Sequence, residues 1–456
     1  MDETERYIKS LLLQQNIESC LKWEQLFRSF VADETNRNKV KLIQELQREM
    51  TKNWQLIARK EEIKSLPIVF PNGIVGKSYE ALFDFAALGL TDIAKYQLSG
   101  FENSGLTFNT NNRIISGIPD QSGDIRLNFE YRLITEPEDA KFNTKQISII
   151  INPDPKSLWR NIPSDQTVRF AKPDEESVQA QLADKTLVVA SKRGRSHANN
   201  GSYREDDFAF ADLENGWTII AVSDGAGSAG LSRKGSQLAC QTVIDYFKEK
   251  QIDNKAEFEN IQSVADLEKI RPYLGEAARQ AHTAIARFST EQNESIEAFH
   301  ATLAFALVKQ LADTCLIISF GVGDCPIVLI SDDFNQIRLM NKLDVGSFGG
   351  GTRFITMPEI LEAADFESRV TIAQTNTMKA LVLMTDGIYD PKFEVEANLE
   401  NPEKWKNFFT DLNGNNPEEI RVDLFQNPEN SEVALLEWMN FWSPGNHDDR
   451  TLAILF

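Results

Sequence analysis

The sequence predicts a multidomain α+β protein: a helical N-terminal segment, a small all-β sandwich, and a long C-terminal block that reads as α/β or α+β. Three observations carry that reading. At 456 residues the chain is too long for one ordinary domain. Its apolar share, 41%, is enough to fill real cores, which argues against wholesale disorder. The apolar pattern also changes twice along the chain, from helical spacing to strict alternation, and then to apolar runs interleaved with helical stretches.

Residues 1–62 read as a helical module. Ile43, Leu46, Met50, Trp54 and Ile57 recur at spacings of three and four, which places them on one face of a helix. Cys20, Trp23, Phe27 and Val31 do the same one helix earlier. The expectation is that these faces bury against each other; the alternative is a docking surface for another protein. Residues 66–153 change texture: Ile125, Leu127, Phe129, Tyr131 and Leu133 alternate with polar residues, the period of a half-buried strand. Turn residues such as Pro71-Asn72-Gly73 and Gln121-Ser122-Gly123 separate the short runs, as in a small sandwich. Residues 154–185, punctuated by Pro155, Pro163 and Pro173, are expected to be a linker leading into the last domain. In the block 186–456, Trp217–Ser223, Cys315–Phe320, Pro326–Ile330, Ala380–Thr385 and Thr451–Phe456 read as strands. Ser232–Lys248 and Asp266–Phe288 read as helices. A tight Gly-containing turn joins Cys315–Phe320 to Pro326–Ile330, which implies that these two runs pair antiparallel.

Charge narrows the classes of partner. Lys and Arg number 48 against 68 Asp and Glu, a formal charge of −20, and such a surface repels phosphate backbones and anionic lipid. Neither nucleic acid nor membrane is expected as a partner. The N-terminal MDETERYIKS is charged and has no signal-like apolar run. No stretch approaches the roughly 18–20 apolar residues of a membrane span. Cys20, Cys240, Cys315 and Cys325 are scattered without CxxC spacing and read as reduced thiols, so the expected location is cytoplasmic.

Acidic residues fall at the ends of the apolar runs. WTIIAVS ends in Asp224-Gly225 and ALVLMT in Asp386-Gly387. Asp324 closes the turn Gly321-Val322-Gly323, His447-Asp448-Asp449 precedes TLAILF, and Arg204-Glu205-Asp206-Asp207 precedes FAF. Asp-Gly alone is common turn chemistry. Five acids converging from separate strands, however, would repel one another unless cations lay between them. Carboxylates with a backbone carbonyl suit hard, oxygen-seeking Mg2+ or Mn2+.

The ordered series RSH…G-x-x-x-E-D-x-F, SDGAGS, GVGD, MTDG and HDDRTL resembles the metal-dependent protein phosphatases of the 2C type, over residues 185–456. The resemblance implies a sandwich of two antiparallel sheets flanked by helices, and hydrolysis of phosphoserine or phosphothreonine in proteins. It implies two or three Mg2+ or Mn2+ ions. Asp224, Gly225 (through its carbonyl), Asp206, Asp386 and Asp448 would hold the pair, Glu205 would lie just outside, and Asp324 would serve a third ion with Asp386. A phosphoprotein substrate and a cognate Ser/Thr kinase are the implied partners, in bacterial signalling. Gly105-Leu106-Thr107-Phe108 and Ile115-Ser116-Gly117-Ile118-Pro119 resemble immunoglobulin-like, cadherin-like domains, which bind or space other proteins, so the N-terminal modules are expected to bind protein.

The chain departs from that family at two places. DGAGS carries Ala226 where a histidine is frequent, and Gly201 occupies the position five residues before Asp206 where an arginine commonly grips phosphate. Arg195, with Arg193 and Arg204 nearby, is the expected substitute, and His197 the expected proton donor. Two other readings compete. Gly225-Ala226-Gly227-Ser228-Ala229-Gly230 is a literal GxGxxG with Asp245 beyond it, but Asp245 falls in a helical run rather than at a strand end. A non-catalytic, phosphatase-like scaffold would be expected to lack metal aspartates, and here they are intact. His282 and His300 read as structural, and zinc chemistry lacks its usual ligand spacing.

Overall fold

The structure, a computed structural model, describes residues 2–344 and 351–456, which divide into two compact units, Met1–Leu158 and Trp159–Phe456. The first begins with helices α1 (Glu3–Gln14), α2 (Ser19–Lys22), α3 (Glu24–Ala32) and α4 (Glu34–Ser65). Asp33 caps α4, its carboxylate accepting from the N–H groups of Thr35 and Asn36, donors that a helix start leaves open. Ile8, Cys20, Phe27, Val31 and Val40 form a small core. The expected burial of the α4 face does not occur. Ile43, Leu46, Met50, Trp54 and Ile57 do share one face, but all five are exposed, as is Trp23. The reason is length and placement. Helix α4 has 32 residues against 12 in α1 and 9 in α3, about 48 Å at 1.5 Å per residue. Where α1 does reach along it, with the Tyr7 hydroxyl donating to Gln47, it lies beside the stripe and not over it.

Strands β1 (Gly73–Ile74), β2 (Tyr79–Leu82), β3 (Ile93–Ser99), β4 (Leu106–Asn109), β5 (Ile114–Gly117), β6 (Gly123–Leu133) and β7 (Asn143–Asn152) complete this unit. They form two sheets, ordered β1-β7-β6-β3 and β2-β5-β4. The alternation in β6 sends Leu127, Phe129, Tyr131 and Leu133 inward. There they meet Ile147, Ile149 and Ile151 of β7, and Ala81, Leu106 and Ile115 of the other sheet, in one core.

The second unit contains β8 (Glu175–Leu182), β9 (Lys185–Lys192), α5 (Arg195–Asn200), β10 (Asp207–Asp212), β11 (Trp217–Ser223), α6 (Ser232–Asp253), α7 (Lys255–Glu259), α8 (Val264–Gln292), β12 (Leu303–Gln310) and β13 (Cys315–Val322). It continues with β14 (Ile327–Ser331), β15 (Ile337–Leu339), α9 (Pro358–Leu361), β16 (Thr371–Thr375), β17 (Met378–Met384), α10 (Asp386–Phe393), α11 (Pro402–Leu412), α12 (Ser431–Trp438) and β18 (Arg450–Leu455). Two sheets, β10-β11-β12-β13-β16 and β15-β14-β17-β18-β9-β8, are antiparallel at every pairing. Ile220 and Val222 of β11 share an inter-sheet core with Leu381 and Leu383 of β17 and Ala453 and Leu455 of β18. The alternate residues Ile219 and Ala221 face α6 and α8. Val382, Leu452 and Ile454 pack on the other flank with Phe408, Leu435 and Trp438. The layers therefore run helix, sheet, sheet, helix. Burial on both faces explains why these strands read as unbroken apolar runs rather than alternating ones.

Two expectations are corrected. Strands β13 and β14 do not pair: β13 bonds to β12 and β16, β14 to β15 and β17. The turn Gly321–Asp324 carries the chain from one sheet to the other, with Gly323 at φ +104°, a conformation that favours glycine. The stretch 154–185 is also more than a linker. It supplies β8, paired along β9, and a buried Lys172 whose ammonium donates to Asp207 at 3.0 Å.

Candidate active site

Sheet registers bring the strand-end acids together. Asp207 pairs with Ser223 across β10 and β11, so Asp206 and Asp224 leave the same end of that sheet. Met384 pairs with Leu452 across β17 and β18, so Asp386 at the start of α10 and Asp448 before β18 leave one end of the other sheet. The two sheets are joined at this end by Asp206. Its Oδ2 accepts from the hydroxyls of Thr385 at 2.7 Å and Thr451 at 2.8 Å. Asp324 enters from the crossing turn, held by the Thr352 hydroxyl at 2.7 Å. That turn is braced by Asp344, which accepts from Gly323 N at 3.0 Å and from both terminal nitrogens of buried Arg369.

The acids at this end feel one another's charge. Burial pushes the Asp224 carboxyl well up, and Asp386, Asp206, Asp324 and Asp448 push it further. Asp386 is raised in the same way, by burial and then by Asp448, Asp324 and Asp206. Asp206 rises to about 7, through burial and then Asp449, against the two threonine bonds. Burial also raises Asp324 and Asp448, and lifts Glu205 to about 7. Asp206 Oδ1, Asp324 Oδ1 and Glu205 Oε2 are buried with no hydrogen-bond partner among the described residues. Gly225 lies so close to the Glu205 backbone that an added Cβ would sit 2.6 Å from its carbonyl oxygen. Mutually repelling carboxylates with open lone pairs, beside a glycine that lets the backbone approach, are a donor set that fits hard divalent cations.

Asp449, which the sequence reading passed over, organises the rim. Its Oδ1 accepts from Gly194 N at 2.6 Å and lies 2.9 Å from His197 Nδ1, while Oδ2 accepts from Glu205 N. The other ring nitrogen, Nε2, lies 3.6 Å from Glu205 Oε2. Burial opposes charge on the ring, but Asp449, Glu205 and Asp448 outweigh it and raise the His197 pKa to about 9. Candidate ligand atoms of His197, Asp448 and Asp449 lie within 4.8 Å of one another. Because His197 and Asp449 bond to each other, this group reads as a hydrogen-bonded anchor, not a cation site. Thr385 and Thr451 were legible in principle, since each lies inside an acid motif, MTDG or HDDRTL.

Arg195 is not brought to the acids as a phosphate clamp. Its guanidinium donates to the carbonyls of Phe441, at 3.0 Å, and Asn440, and lies over the Trp442 ring. Arg193 is held by Ser202 O, Ile162 O and Asp174, and Arg204 by Pro173 O and Glu176. The GxGxxG reading fails as well: Asp245 sits within α6, and among the described residues the sheets of this unit pair antiparallel throughout, without the parallel pairs a dinucleotide fold needs. His282 and His300 bond to Ile355 O and the Thr356 hydroxyl. All four cysteines are free and buried.

Solved structures that align with part of this chain include a bacterial serine phosphatase, at 14% identity and TM-score 0.35, over 59% of this chain and 96% of that one. The serine/threonine phosphatase Stp1 from Staphylococcus aureus aligns at 13% identity and TM-score 0.35, over 61% and 96%. The catalytic domain of the phosphatase PstP, in complex with 2 manganese ions, aligns at 15% and 0.33, over 59% and 96%. A comparison with curated proteins gave no match. The model of the family described as protein phosphatase 2C matches residues 193–424. That span starts just before α5 and takes in Asp206, Asp224, Asp324 and Asp386. It covers more than half of the sequence and most of the acid cluster, and on that ground the chain belongs to the protein phosphatase 2C family.

Proposed function

We propose that the protein is a divalent-cation-dependent phosphatase of phosphoserine and phosphothreonine in proteins, of the DGAGS variant. The reading is supported by five aspartates that leave strand ends or turns at the same end of the two sheets, where Asp224 and Asp386 each feel the charge of their neighbours. Asp206, Asp224, Asp386, Asp448 and the Gly225 carbonyl would hold two Mg2+ or Mn2+ ions, and Asp324 with Asp386 a third. When bound, such ions supply positive charge against the phosphate and lower the pKa of water toward neutrality. The chain's own residues do the positioning. Thr385 and Thr451 fix the Asp206 carboxylate and leave Oδ1 open. Asp449 fixes His197 so that Nε2 can carry a proton beside Glu205, in reach of the role of donor to a leaving alkoxide. Cys325 is not needed as nucleophile, since burial raises its thiol well above the usual range.

Residues 66–153, with two sheets over one core, fit an immunoglobulin-like module that recruits a partner or substrate. The expected setting is the cytoplasm, with a Ser/Thr kinase supplying the phosphoprotein. Among the described residues no helix is long and apolar enough to cross a membrane. The deciding experiment is hydrolysis of a phosphothreonine peptide by purified protein with Mn2+, with Mg2+ and with excess EDTA. Undiminished activity in EDTA would rule the reading out.

A further inference from the structure

The exposed face of α4 has a symmetry that its exposure alone does not require. Ile43, Leu46, Met50, Trp54 and Ile57 are 37%, 52%, 70%, 69% and 59% exposed. Isolated apolar residues on a surface are ordinary, but five on one stripe mark an unfilled contact. Their positions are palindromic about Met50: Leu46 and Trp54 lie four residues either side, Ile43 and Ile57 seven. At 3.6 residues per turn, those offsets keep all five within about 40° of the Met50 direction. If a second α4 is laid antiparallel across the first at Met50, each apolar residue meets an apolar one: Ile43 against Ile57, Leu46 against Trp54, and Met50 against its own copy.

Charge extends the same symmetry. Eleven residues before Met50 stands Lys39 and eleven after it Glu61, both exposed and both on the stripe. Antiparallel pairing sets the Lys39 ammonium of each copy against the Glu61 carboxylate of the other. In a parallel pair Lys39 would face Lys39 and Glu61 would face Glu61, a like-charge penalty at both ends. Between Ile43 and Ile57, the remaining residues nearest the stripe are neutral Gln47 and Asn53. A self-complementary patch of this kind is what an isologous two-fold contact requires. We infer that α4 pairs with a second copy of this chain, antiparallel and crossing at Met50.

The full chain should sediment as a dimer at micromolar concentration. Met50→Glu places two carboxylates on the two-fold axis and should give a monomer with unchanged circular dichroism. Lys39→Glu should weaken the dimer, and Lys39→Glu with Glu61→Lys should restore it. Orientation is read by cross-linking. Met50→Cys should form an intermolecular disulfide on mild oxidation. Ile43→Cys alone should not, because antiparallel copies of position 43 lie about 21 Å apart along the helix axes. A mixture of Ile43→Cys and Ile57→Cys proteins should cross-link to each other. A monomeric wild type, meaning the stripe faces some other partner, would overturn the inference. So would a dimer that survives Met50→Glu, or an efficient cross-link from Ile43→Cys alone, as parallel pairing would give. None of these readouts depends on phosphatase activity, so the dimer and the proposed chemistry can fail separately.

Discussion

The Asp224 carboxylate sits under the repulsion of its neighbours. Asp386, Asp206, Asp324 and Asp448 all raise its pKa, so a cation-free protein holds these groups together at a cost. Asp224→Asn and Asp386→Asn should each reduce peptide hydrolysis by more than the roughly 10–100-fold that loss of a supporting partner around a metal costs. In EDTA the same variants should melt no lower than wild type, because one repelling charge is gone. A fall in melting temperature under EDTA would mean that these carboxylates serve the fold rather than a cation. Asp449 is the opposite case. Asp449→Asn loses an acceptor shared by Gly194, Glu205 and His197, and unpaired buried donors cost about 1–3 kcal/mol, so both activity and melting temperature should drop. The pH dependence of cation-free stability reports the same anchor. The native state raises the His197 pKa from 6.5 to about 9, so it keeps a proton that the unfolded chain releases. That contribution is complete below the unfolded value and is lost as pH rises through about 9. His197→Gln should therefore destabilise more at about pH 6 than at about pH 10, measured by thermal melts in EDTA.

Helix α10 shows what an element contributes beyond its residues. It begins at Asp386 directly after β17, and its first turn packs against the chain entering β18. A Cβ on Gly387 would lie 1.8 Å from the Asp449 carbonyl oxygen, a backbone contact that no rotamer change relieves. Gly387→Ala should cost at least about 1–3 kcal/mol and displace Asp386, and a calorimetric scan with a parallel activity assay checks both. Sequence reading placed the strands ending in Asp224 and Asp386 and both long helices, because unbroken apolar runs and 3.6-residue spacing are local signals. It mispaired β13 with β14 because a short glycine turn looks the same whether the chain folds back in one sheet or crosses to another.

The two units set the expectation for the molecule as a whole. A fragment of residues 159–456 should be soluble and should hydrolyse a small phosphoester at nearly the full-chain rate. A fragment beginning at residue 186 should aggregate or melt early. It lacks β8 along the edge of the six-stranded sheet, as well as Lys172, which is buried against Asp207 and the Asp206 carbonyl. If the shorter fragment is equally stable and active, residues 159–185 are dispensable after all.

Composition and motif spacing alone pointed to the acids at strand ends, the oxygen-ligand chemistry they suit and the change of texture at the sandwich, because each depends on residues close together in the chain. Contacts between residues far apart in sequence became visible only in three dimensions. Thr385 and Thr451 reach Asp206 across more than 170 and 240 positions, and Asp449 reaches His197 across about as many. Arg195 looked free beside the motif and is held by carbonyls near residue 440. The α4 stripe looked like a buried face, because spacing specifies that apolar residues share a side; whether anything covers that side depends on the length of the neighbouring helices and on how they pack.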